Sequence, residues 1–202
     1  MSTKNGIQHF FQQVITLETV LVYILFGTAL FLLFDGFYIK AKAKYAQYLI
    51  ASSWHHYAQT GEQQKPWPWA DTYPIGELTM QNESHYILSG ASGRNLAFGP
   101  THLLNTSELG APGNAAIAGH RDTHFDTLKK AELGDLVYLT SRQQEHIVKQ
   151  VYRVTDIRIV DQYDLDVLAP TPQSSITLIT CYPFDSIEPN PTQRYVVHAQ
   201  KI

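Results

Sequence analysis

The chain has 202 residues, 15 basic against 18 acidic, and a formal net charge of −3. That balance gives no electrostatic footprint for nucleic acid, and 44% hydrophobic residues are enough for one folded domain with a core. A single cysteine, Cys181, excludes an internal disulfide and any cysteine-rich metal site.

The first element in chain order is apolar. From Val14 to Phe34 the chain reads VITLETVLVYILFGTALFLLF, with Glu18 as its one charge. About 20 apolar residues span a bilayer. No small-residue cleavage site follows, so the stretch reads as an uncleaved anchor rather than a signal peptide. Lys4 precedes it and Lys40, Lys42 and Lys44 follow it. By flanking charge alone, the C-terminal domain would be cytoplasmic.

Residues 39–60 carry no proline or glycine and space their apolar residues helically, which predicts a helix leading away from the anchor. In GEQQKPWPWADTYP, Pro66, Pro68 and Pro74 break regular structure. Trp67 and Trp69 are expected to pin this segment onto the domain. The organisation read is thus 1–38 anchor, 39–70 juxtamembrane helix and linker, and 71–202 folded domain.

After Asp71, short apolar stretches recur between turn residues: PIGELTM, HYILSG, LAFGPTHL, NAAIAGH, GDLVYLT, HIVKQVYRVTDIRIV, SSITLITC and RYVVHAQKI. This spacing predicts an all-β sandwich or barrel. One short helix is expected at HFDTLKKAEL, where Phe125 and Leu128 fall three apart and Asp122 or Thr123 could cap.

Strand alternation places Thr177, Ile179 and Cys181 on one face, and Arg194, Val196 and His198 on one face of the next strand. The intervening prolines Pro183, Pro189 and Pro191 mark a loop. If the two strands are neighbours, Cys181 and Arg194 share one edge of the sheet. His120 closes a third strand, beside small Ala116 and Ala118. A thiolate is the attacking form of cysteine, and free cysteine supplies little of it at neutral pH. A histidine can take the proton or return one to a leaving amine. An arginine keeps its charge and offers a fork of donors, suited to an oxyanion. Cys181, His120 and Arg194 together point to acyl transfer through a thioester. A buried thiol, a surface histidine and a solvated arginine are the bland alternatives. His120 and His124 at i, i+4 also allow a metal reading, but the glutamate of HExxH is absent.

TLITC with its downstream RYVV, and GHRDTHF, resemble the signature segments of sortases, the membrane-anchored cysteine transpeptidases. The likeness runs from about Asp71 to Ile202. It implies a sortase-like closed β-barrel of about eight strands with short helices, preceded by one transmembrane helix. It implies Cys181 as nucleophile, His120 as general acid and base, and Arg194 as the residue that stabilises the oxyanion. The implied reaction is cleavage of a C-terminal LPxTG-like sorting signal of an exported protein, with transfer of the acyl group to an amine. WPWADTYPIGEL and CYPFDSIEPNPTQRYVV resemble the sortases of Gram-negative, often marine, proteobacteria. A place in the inner membrane with the domain facing the periplasm follows from the resemblance, against the flanking lysines.

The connection DQYDLDVLAPTPQS resembles the family's groove-lining loop. Leu165, Val167, Leu168 and Ala169 are its candidate substrate contacts, with Thr180 on the nucleophile strand. Tyr182 and Asp185 are candidates on the acceptor side. Glu77, Glu83 and Glu108 are scattered, so no calcium or other metal site and no cofactor is expected. Expected partners are a sorting-signal peptide, an amine acceptor and the lipid bilayer through residues 14–34, with no nucleic acid. A cysteine peptidase releasing its substrate to water, and a non-catalytic membrane-tethered barrel, remain as alternative functions.

Overall fold

The structure, a computed structural model, describes residues 3–202. Of residues 3–15 and of residue 17 it describes the backbone alone, so the side chains of Lys4 and Val14 lie outside the described ones. The chain divides into two units between Tyr45 and Ala46.

Helix α1 runs unbroken over Thr3–Thr60. The helix expected over 39–60 is therefore the continuation of the apolar one. Gly36 alone does not end it, because an internal glycine costs only about 1 kcal/mol against alanine. In the first unit this helix is long and apolar enough to cross a membrane, and Leu25, Phe26, Leu33 and Phe34 are all exposed.

The second unit begins with the last turns of α1. Ala46, Ile50 and Trp54, at i, i+4 and i+8, are buried, as one face of a helix packed on a domain requires. Gln47 Nε2 donates to Phe98 O at 2.7 Å. The helix ends at Gly61, whose positive φ of 79° and bond to Tyr57 O at 2.9 Å form a left-handed C-terminal cap. In the linker that follows, Trp67 packs edge-on against Phe98 at 4.8 Å. Trp69 does not share this role. It is 78% exposed, because the chain turns at 67–70, with Ala70 N bonded to Trp67 O at 3.0 Å, and does not set i and i+2 on one side as an extended strand would.

Eight strands close into a barrel in the order β1-β2-β3-β4-β7-β8-β6-β5. They are β1 Pro74–Met80, β2 Glu83–Ser89, β3 Thr101–His102, β4 Asn114–Ala118, β5 Leu136–Gln143, β6 His146–Asp161, β7 Ser175–Tyr182 and β8 Gln193–Lys201. The β1–β2 connection is a two-residue turn with Gln81 and Asn82 both at positive φ, the geometry that matches strand twist. Leu78, Leu139, Ile117, Leu178 and Val197 point inward into one core.

Two sequence expectations change here. LAFGPTHL is not one strand. Ser92 Oγ accepts from Asn95 N at 3.1 Å and starts a one-turn helix, α2, over Gly93–Leu96. Gly99 and Pro100 then separate it from the short β3. The helix expected at HFDTLKKAEL is a single 3₁₀ turn over Asp126–Lys130 with no side-chain cap. The N–H of Phe125 is bonded to His120 O at 2.9 Å, so residues 120–125 form a turn, and Phe125 takes the cap position expected for Asp122 or Thr123. Phe125 and Leu128 are both buried as their spacing predicts.

Candidate active site

Strand β7 pairs antiparallel with β8 and parallel with β4. Across β7 and β8 the partners are Thr177 with His198, Ile179 with Val196, and Cys181 with Arg194. Paired residues point the same way. Ile176 and Leu178 enter the core, so Thr177, Ile179 and Cys181 lie on the outer face of the barrel.

Strand β4 ends at Ala118, two residues short of His120. His120 is therefore in the turn beyond the strand and not on it. Its backbone is tied to the end of β7 by two bonds. Gly119 N donates to Ile179 O at 3.1 Å, and Thr180 Oγ1 donates to Gly119 O at 2.7 Å. Gly119 is required where it is. A Cβ there would meet the Phe125 ring at 2.7 Å, inside any contact a real side chain makes.

Cys181 and His120 open into one cleft of about 510 Å³, with Asp122 beside them and the β7–β8 loop as the facing wall. Cys181 is half-buried and His120 exposed, so both can reach a peptide lying in the cleft. Arg194 is beside Cys181 through the ladder, but its head is turned to the base of the loop. Nη1 donates to Pro191 O at 2.6 Å and to Gln193 O at 2.9 Å, and Nη2 reaches Gln162 Oε1 at 3.4 Å.

The remaining candidates are placed as follows. Thr180 is only 2% exposed, and its hydroxyl is committed to Gly119. The position supports the histidine's backbone and offers no surface to a substrate. Tyr182 stacks on Tyr195 at 6.2 Å and meets Phe184 edge-on, at the foot of the loop. Asp185 is exposed. Leu165, Val167 and Leu168 form a 3₁₀ turn capped by Asp164. Val167 is buried and Leu165 is 69% exposed. With Ala169 they lie outside the cleft that holds Cys181. Asn114 Nδ2 anchors this segment, donating to Val167 O at 3.0 Å and Ala169 O at 3.2 Å.

A histidine pair lies behind the site. The rings of His85 and His124 are 5.5 Å apart and perpendicular. Burial, reinforced by His85 and then His120 and opposed by Asp122, pushes His124 down to about 4. Burial also lowers His85, against the pull of Glu83. Among the described residues, no three His, Cys, Asp or Glu side chains converge as metal ligands. Arg121, next to His120, is a site residue that strand alternation alone does not single out. Its Nη2 donates to Ser186 O at 2.6 Å and Glu188 O at 2.7 Å.

The sequence profile of the sortase domain matches residues 78–202. Sortase D of Bacillus subtilis (strain 168) is 26% identical over 129 residues, covering 63% of this chain and 63% of that protein. Sortase A of Listeria monocytogenes is 32% identical over 99 residues, 47% of this chain and 42% of that protein. The matched region thus spans less than two thirds of either relative's length. Sortase A from Corynebacterium diphtheriae superposes with a TM-score of 0.58 at 27% identity, over 73% of this chain and 67% of that one. A Clostridium perfringens sortase D5 transpeptidase has the same fold, with a TM-score of 0.62 at 21% identity, over 79% of this chain and 99% of that one. The chain belongs to the sortase family of cysteine transpeptidases.

Proposed function

We propose that this chain is a membrane-anchored sortase that cuts an LPxTG-like sorting signal through a thioester at Cys181 and passes the acyl group to an amine. The observation that carries this reading is the shared cleft of Cys181 and His120, with Arg194 as the cross-strand partner of Cys181. The Cys181 thiolate attacks the carbonyl carbon of the signal's threonine, and a C–S bond forms. Arg194, freed from the loop base, donates to the oxyanion. The intermediate collapses, the C–N bond breaks, and protonated His120 gives its proton to the leaving amine. An incoming amine then attacks the thioester, a C–N bond forms, His120 takes the proton, and the C–S bond breaks to restore the thiolate.

Residues 14–34 serve as the anchor, and the catalytic unit faces the periplasm of a Gram-negative cell. The linker and terminal segments that resemble proteobacterial sortases support that setting. Leu165, Leu168 and Ala169 act in this reading as an outer wall reached by the signal's apolar side chains, with buried Val167 holding the turn beneath them, and Tyr182 and Asp185 flank the acceptor. The partners are the sorting-signal peptide of an exported protein and an amine. The test is intact-mass spectrometry of the full chain in detergent with LPxTG-like peptides. A mass gain equal to the N-terminal peptide fragment, reversed by hydroxylamine and absent in Cys181→Ala and His120→Ala, is expected. A Cys181→Ala protein that still turns over peptide rejects the mechanism.

A further inference from the structure

The wall facing Cys181 is a loop with little of its own to hold it. Pro183, Pro189 and Pro191 remove three backbone donors between Tyr182 and Gln193. Inside the loop the bonds are Ser186 N to Pro183 O at 3.5 Å and Glu188 N to Ser186 Oγ at 3.1 Å. Ile187 at its apex is fully exposed, so it contributes no packing. Phe184 reaches the core from the near end, and Arg194 grips the far end through Pro191 O. Between them, among the described residues, the only hydrogen bonds to the loop from outside it come from Arg121.

Those two bonds are short, and they fork from one nitrogen to carbonyls on either side of Ile187. The other terminal nitrogen, Nη1, is buried and has no partner, so the head is enclosed rather than swinging in solvent. Arg121 also follows His120 directly, and the backbone there is fixed to β7 through Gly119 and Thr180. One side chain therefore couples the histidine's turn to the opposite wall. Ser186, Ile187, Glu188 and Pro189 line the cleft with Cys181 and His120.

We propose that Arg121 is a positioning residue that holds the β7–β8 loop as the acceptor-side wall, and so sets whether an amine or water resolves the acyl-enzyme. The inference rests on the functional reading above. Both outcomes break the same C–S bond. With an amine, a C–N bond forms and the amine's proton goes to His120. With water, a C–O bond forms and water's proton goes there. A wall held in place orients the larger nucleophile, whereas water needs no wall. Both bonds leave one nitrogen, so a lysine ammonium, with three donors on a more flexible stem, can keep part of the contact.

The experiment uses the full chain in detergent, an LPxTG-like peptide and a fixed excess of a glycine-terminated peptide amine. Wild type, Arg121→Met and Arg121→Lys are compared by acylation rate, by the ratio of aminolysis to hydrolysis products, and by hydrogen exchange. Loss of a charged donor to two carbonyls predicts a fall of about tenfold in that ratio for Arg121→Met, with acylation falling by no more than about threefold. Arg121→Lys should fall between. Amides 184–188 should exchange faster in Arg121→Met while those of β7 do not. A ratio within about twofold of wild type, or acylation and ratio falling together with the melting temperature, overturns the proposal. If wild type forms no thioester, the functional reading fails and the partition with it. The exchange data still decide the loop contact, and unchanged exchange at 184–188 overturns that as well.

Discussion

The hydroxyl of Thr180 donates a 2.7 Å hydrogen bond to the carbonyl of Gly119, one residue before His120. The nucleophile strand thus holds the histidine's backbone through the residue that precedes Cys181. Removing the hydroxyl leaves a carbonyl without its partner in a buried place, at a cost of about 1–3 kcal/mol. Thr180→Val is expected to lower the melting temperature and to reduce acylation about tenfold. Thr180→Ser should recover most of both. Peptide KM unchanged with kcat reduced is the signature of a support role; a change confined to KM would return Thr180 to the substrate groove.

Gly119→Ala tests the same turn from the other side. The added methyl collides with the buried Phe125 ring at 2.7 Å, and overpacking of this kind costs about 1–3 kcal/mol. Phe125→Leu in the same chain makes space and should restore part of the loss, so the two substitutions are non-additive. Strict additivity in thermal or denaturant unfolding would show that the clash is relieved elsewhere.

The histidine pair predicts how stability depends on pH. His124 is held near 4 in the fold against 6.5 for a free histidine. Between those values the unfolded chain binds more protons than the folded one, so stability rises with pH across about 4 to 6.5 and is lost as pH falls through that window. The groups facing His124 are His85, His120 and Asp122, with Glu83 beyond His85 at 3.8 Å. The ring is partly solvated, so the effect is discounted to about 1–2 kcal/mol. His124→Phe should flatten the acid limb of a plot of melting temperature against pH. An unchanged acid limb would assign it to other groups.

Orientation is the fourth prediction. Lys40, Lys42 and Lys44 are exposed on α1, and flanking charge would place them in the cytoplasm. The proposed function places the catalytic unit outside, where the lysines meet lipid headgroups. A C-terminal alkaline phosphatase fusion should be active and a C-terminal fluorescent reporter that matures only in the cytoplasm should be dark. The reverse pattern rejects the outward topology.

Strand alternation carried the reading furthest where both strands are long. The face Thr177, Ile179, Cys181 and the face Arg194, Val196, His198 meet register for register, because a one-residue slip would turn each set into the core. His120 was legible as a residue at the end of β4, and as a partner of Cys181 through the family resemblance, but not as a turn residue. The turn is set by the backbone bond from Phe125 N–H to His120 O and by aromatic packing on Gly119, both silent in periodicity. Arg121 lies in the GHRDTHF segment but was not singled out there, because strand alternation does not reach a residue beyond the strand end. Its signal is the combination of that arginine with a proline-rich loop short of internal donors. Trp69 and LAFGPTHL misled for a related reason: composition shows what a segment could bury or pair with, and neighbours decide whether it does.

The barrel order leaves no strand with a single neighbour. The strand that carries Cys181 is paired on both sides over Ser175–Ile179, so along that stretch an extended peptide cannot add itself as one more strand, the route by which many peptide-binding domains gain affinity from main-chain bonds. In the proposed function the peptide lies in the cleft beside Cys181 and His120 and is read through side chains and loop backbone. Selectivity is then a property of a few replaceable surface residues, and grafting a different loop between Tyr182 and Gln193 would redirect the molecule while the ladder at Cys181 and Arg194 stays as it is.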